Sequence, residues 1–128
     1  MFEPETAQVQ RVIGKPGYFE LTEKLEYYCR DGWIITVPKS FQTNFASIPA
    51  PLRMFFRVNG AHQDASIVHD YMYANRGHVA LRRFTREQSD QIFFEAMLDS
   101  GVPVWKARLF WAGVRVGGWM FWPNKGKK

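Results

Sequence analysis

Two acids, a histidine and a tyrosine carry most of the chemistry this sequence can offer. The stretch ASIVHDYMYANRG, residues 65 to 77, sets His69 and Asp70 side by side where Ala65, Val68 and Met72 recur at helical spacing. Further along, Asp90 shares a helix face with Phe93, Phe94 and Met97, three, four and seven positions later. An aspartate in such a stripe must find a partner or a proton, because desolvating an unpaired carboxylate is expensive. His69 is the best partner within reach of a neighbouring helix, and Tyr73 can donate its hydroxyl to the same carboxylate. A carboxylate facing an imidazole fixes its tautomer, which makes the ring a positioned general base or orients it as a metal ligand. His69, Asp90 and Tyr73 are therefore the candidate catalytic set. Asp70 points about 100° away on the helix wheel, toward the loop side, where a cation or substrate can sit. The competing reading is a buried His–Asp–Tyr network that only fixes helix packing.

Positioning these groups requires helices packed side by side, and the sequence predicts three. The first runs to Asn75, with Asp64 or a neighbour as its cap and Gly77 as its stop. TREQ, residues 85 to 88, fits a capping box with Thr85 as N-cap and Gln88 at the third helical position. That helix extends to Asp99, with Gly101 and Pro103 as stop signals. A third helix starts near Pro103 and ends at Gly117–Gly118. Upstream, KLEYYCRDGWIITVP reads as a hairpin. Leu25, Tyr27 and Cys29 alternate before Asp31–Gly32, and Trp33, Ile35 and Val37 alternate after it. Both turn residues are expected at positive φ, and Pro38 ends the second strand. YFEL is a short strand. Residues 1–17 read as an irregular lead-in, and the segment up to about residue 51 as a loop followed by a helical turn at RMFF. The expected fold is α+β: a small N-terminal antiparallel hairpin or sheet, then about three helices. A single domain spans 18–122, and a basic flexible tail 123–128.

Composition narrows the function classes. A chain of 128 residues supports one core. Five Trp and eleven Phe exceed what that core needs, so an exposed aromatic contact patch is expected. The net charge of +5 permits weak attraction to anionic lipid or nucleic acid without demanding it, and nucleic-acid binding is expected to be weak or absent. A single cysteine, Cys29, excludes an intrachain disulfide and suits a reducing compartment. MFEPETAQVQ lacks the apolar core of a signal peptide. Arg108 and Arg115 interrupt the most apolar stretch, 107–122, so no membrane span is expected.

Three ordered motifs, VPKSFQTNFASIP, IVHDYMY and SDQIFFEAM followed by GV, resemble a family of uncharacterised phage and prophage proteins. Their signatures read V-P-x-G-F-x-T-D-x-A-S-I-P, then L-H-D-Y-L-Y, then A-D-x-x-F. The likeness runs from about residue 18 to 119 and implies a viral origin. The family's glycine and aspartate in the first motif are Ser40 and Asn44 here. Asn44 can still coordinate calcium through its carbonyl oxygen, but it supplies neither charge nor a base. A weaker likeness, confined to two helices, is to the secreted calcium-dependent phospholipases, whose active helix carries H-D-x-x-Y. That resemblance implies His69 as the base activating water and Asp70 as a calcium ligand. It makes Asp90 the group orienting His69, and Tyr73 the group steadying Asp90. This chain lacks those enzymes' disulfides and glycine-rich calcium loop.

Other constellations are weaker. His62, His69 and His78 with Asp70 match no compact zinc motif, so calcium stands ahead of zinc as the expected divalent cation. Ser47 lacks a nucleophile-elbow context, and Cys29 reads as a small core residue. On the third helix, Arg108, Trp111, Arg115 and Trp119 fall near one face and Trp105, Leu109, Ala112 and Val116 on another. The simplest expectation buries the tryptophans and lets the arginines run out to water. The alternative is a docking stripe for a protein, a lipid surface or nucleic acid. Two functions follow as expectations. One is a phage-encoded, metal-assisted hydrolase acting on the host envelope, made in the host cytoplasm. The other is a non-enzymatic virion or assembly protein, a tail or capsid component that binds neighbouring virion subunits through its aromatic and basic surface.

Overall fold

The computed structural model describes residues 1–4, 7–44, 63–79 and 82–117. Ser47, His62, Trp119, the RMFF turn and the basic tail lie outside them.

The fold is α+β, with short antiparallel strands followed by three helices. Among the described residues six strands precede helix α1 (Gln63–Ala74): β1 (Phe2–Glu3), β2 (Val9–Arg11), β3 (Phe19–Leu21), β4 (Leu25–Tyr28), β5 (Ile34–Val37) and β6 (Gln42–Thr43). They form two three-stranded sheets, ordered β1-β4-β5 and β2-β3-β6. The lead-in is thus not irregular. Phe2 pairs with Tyr27, and Val9 with Leu21, because the edges of β4 and β3 offer backbone groups that these segments satisfy. Within the β4–β5 hairpin only Gly32 takes a positive φ, +99°, while Asp31 does not. The Cys29 amide donates to the Trp33 carbonyl at 2.7 Å, and the Gly32 amide to the Cys29 carbonyl at 3.0 Å. These bonds close a three-residue loop over Arg30–Gly32 in place of the expected two-residue turn.

Helix α1 spans Gln63–Ala74, α2 Arg86–Asp99 and α3 Val104–Gly117. Between α1 and α2 the short ribbon of β7 (His78–Val79) and β8 (Arg82–Arg83) turns the chain. Gly77 ends α1 at φ +80°, its amide donating to the Met72 carbonyl at 2.8 Å. Thr85 caps α2 with both bonds of the capping box in place. Helix α2 is central: α1 packs on one side of it and α3 on another, while α1 also meets β5. The core joins Leu25, Tyr27, Ile35 and Val37 of the sheet to Val68 and Met72, Phe93 and Met97, and Phe110 and Val114 of the helices. Polar ties fasten the N-terminal segments to the helices. The buried Asp64 accepts from the Ala7 amide at 3.1 Å. The Tyr27 hydroxyl lies 2.6 Å from carboxylate oxygens of both Glu95 and Asp99.

Candidate functional site

Asp90 lies on α2 one turn ahead of Phe93 and Phe94, and its side chain is fully buried. Burial alone would push its carboxyl up. Three donors from two neighbouring helices outweigh that cost and hold it below the usual carboxylate range. His69 Nε2 sits 2.8 Å from Asp90 Oδ1. Tyr73 donates its hydroxyl to the same oxygen at 2.5 Å. The third donor, Arg115 of α3, reaches Oδ2 at 2.8 Å. Arg86, four residues before Asp90 on α2, stands 3.6 Å from Oδ2. Its guanidinium also donates to the carbonyls of Val114 at 3.1 Å and Arg115 at 3.2 Å. A cation on the last carbonyls of α3 suits the negative end of the helix dipole. One carboxylate therefore ties three helices together.

The protonation pattern of His69 follows from its partner. An ionised carboxylate only accepts, so Nε2 must carry the hydrogen between them. In the neutral ring Nδ1 is then a bare acceptor. It is buried and meets no hydrogen-bond partner among the described residues. Unsatisfied buried polar atoms are uncommon, and each calls for an explanation. The imidazole packs against two tilted aromatic rings: the centroids of Tyr73 and Phe93 lie 4.2 and 4.5 Å away. The Tyr73 phenol is pushed up, first by burial and then by its bond to Asp90, so it remains a donor.

His69, Asp90 and Tyr73 are thus brought together as the helix spacing requires. The other two candidates sit apart from them in environment. Asp70 is buried on α1 and accepts a short hydrogen bond from the Thr43 hydroxyl. Asn44 follows Thr43 and is exposed. Calcium demands six to eight oxygens. Asp70 and the Thr43 hydroxyl supply part of such a set, and among the described residues no group of three His, Cys, Asp or Glu side chains completes it. His78 is exposed on β7 while His69 is sealed, so the two histidines occupy different surroundings. Cys29 is buried, its thiol pushed up to about 12 chiefly by burial, in keeping with a packing role.

Sequence reasoning missed Arg86, Arg115 and Thr43. Arg86 was legible as an i,i+4 partner of Asp90. For Arg115 only its position on the third helix was visible. The expectation for that helix is reversed in part: Arg115 turns inward to Asp90, whereas Trp105 is 63 % exposed. A buried carboxylate needing a permanent cation accounts for the first.

Fold and site together define a small α+β protein built around a buried histidine–carboxylate network. The chain belongs to the family DUF1353, whose description is "protein of unknown function" and whose model matches residues 19–114. That span holds His69, Tyr73, Arg86 and Asp90, while Arg115 lies one position past its end. No curated protein and no solved structure matches the chain significantly. No helix of the described residues is long and apolar enough to cross a membrane.

Proposed function

We propose that this protein is a hydrolase in which His69 is the general base, working through Nδ1. The observation that carries this reading is the bare, buried Nδ1 on a ring whose other nitrogen is fixed by Asp90. In the reaction Nδ1 takes a proton from water as the water oxygen bonds to a carbonyl or phosphoryl centre. The same proton then passes from Nδ1 to the leaving oxygen or nitrogen as its bond to that centre breaks. Asp90 stabilises the imidazolium formed between the two transfers, and Tyr73 and Arg115 keep Asp90 in place. The phage resemblance supports a target in the host envelope: an ester, a phosphoester or an amide. A calcium ion anchored on Asp70 is a further part of the proposal, and a rise in melting temperature with added calcium tests it.

The direct test compares wild type with His69→Gln, whose amide still donates toward Asp90 but cannot act as a base. Both are assayed on p-nitrophenyl esters, bis-p-nitrophenyl phosphate, phosphatidylglycerol vesicles and peptidoglycan sacculi, with and without calcium. Turnover by wild type that falls by roughly a hundredfold or more in the variant supports the base role. Absence of turnover on the whole panel, or equal turnover by the variant, overturns it.

One observation favours a second reading. His69 is fully buried, so the ring meets substrate only after the packing over Nδ1 gives way. In a virion or assembly protein the same network would serve as a three-helix clasp. Mass spectrometry of purified particles checks that role, and absence of the protein from them removes it.

A further inference from the structure

Helix α3 is apolar on two opposite sides. Ala107, Phe110 and Val114 are buried against the core. Trp105, Leu109, Ala112 and Val116, at spacings of four, three and four, form a second stripe on the far side. That stripe faces out: Trp105 is 63 % exposed, Leu109 37 % and Val116 79 %. A helix with two apolar faces is covered on both in its working state. The charge around the outer stripe identifies what covers it. Helix α3 contains Lys106, Arg108 and Arg115 and no acid. On the helix wheel Arg108 lies to one side of the stripe and Lys106 to the other. Beside the stripe, Gln91 and Phe94 of α2 line a groove of about 390 Å³ with Arg108, Trp111 and Ala112.

We infer that the outer face of α3 docks on an anionic lipid surface. The helix lies in the plane of the interface, its tryptophan and aliphatic side chains entering the acyl boundary. Lys106 and Arg108 extend sideways to lipid phosphates, their methylene stems lying along the apolar edge. A second copy of this chain fits poorly as the occupant, since pairing two acid-free α3 helices sets like charges along the contact. Docking is independent of the base role of His69, so His69→Gln binds as wild type does.

The test is co-sedimentation of the full chain with phosphatidylglycerol vesicles and with phosphatidylcholine vesicles, at low and high salt, with sedimentation equilibrium in parallel. Trp105→Ser with Leu109→Ser removes apolar groups from the surface, and Lys106→Gln with Arg108→Gln removes the flanking charge. Neither pair touches the core. The expected result is salt-sensitive binding to phosphatidylglycerol, weaker by roughly tenfold or more on phosphatidylcholine and in either double variant. Failure to bind phosphatidylglycerol at low salt overturns the inference. So does binding that both double variants retain, which would place the contact elsewhere. A dimer of the wild type that Trp105→Ser with Leu109→Ser dissolves would assign the face to a second copy and also overturn it.

Discussion

Replacing Asp90 with Asn changes one atom and one charge at the junction of three helices. Wild-type Asp90 accepts from His69, Tyr73 and Arg115 at 2.8, 2.5 and 2.8 Å. Asparagine offers a single acceptor oxygen. If that oxygen stays with Tyr73 and His69, the amide NH₂ faces the Arg115 guanidinium and two donors oppose each other. If the amide flips, its NH₂ faces Nε2, and His69 must move its proton to Nδ1. Breaking a buried charge pair costs about 3–5 kcal/mol. Arg115 and Arg86 soften this, because their side chains keep 29 % and 23 % of their surface exposed and can be rehydrated. The expected loss is about 3 kcal/mol, or a fall in melting temperature of about 10 °C for a domain of this size. Thermal and urea melts read it directly. The loss also has a pH signature. The folded carboxyl titrates below its usual 3.8, so its stabilisation is complete above that value and is lost as pH falls through the lower folded one. The gap between wild type and variant therefore stays constant near neutrality and closes in acid. A variant that melts within about 2 °C of wild type at neutral pH would refute a clasp worth several kcal/mol.

Two further substitutions test the elements that hold the site. A Cβ on Gly77 would stand 1.8 Å from the Phe84 carbonyl oxygen at a φ of +80°, so Gly77→Ala should cost at least about 2 kcal/mol. An unchanged melting temperature would show that α1 does not end this way. Thr85→Ala removes one bond of the capping box on α2 and should lower stability by about 1 kcal/mol without altering the urea m-value. Equal midpoints would contradict the cap.

Local rules read well in this chain where one segment decides the outcome. The capping box at Thr85, the stop at Gly77 and the inward alternation of Leu25, Tyr27, Ile35 and Val37 all depend on neighbours in sequence. The pairing of His69 with Asp90 was legible because a carboxylate in an apolar stripe has few ways to be satisfied. Arg115 was not, since whether a cation on an amphipathic helix turns in or out depends on what the next helix buries. Strands β1 and β2 were missed for a similar reason. Two- and three-residue strands carry no periodicity of their own and exist because β4 and β3 offer free edges. The exposed apolar face of α3 was visible as a pattern, but only the packing showed which of its faces is covered.

The proposed base role depends on which ring nitrogen of His69 carries the proton. Nitrogen-15 NMR of the histidine rings at neutral pH, with His69 assigned through His69→Gln, measures this directly. The expected result is a protonated Nε2 and a bare Nδ1 in wild type. A ring protonated at Nδ1, with Nε2 bare against Asp90, would contradict the arrangement and leave no base to act.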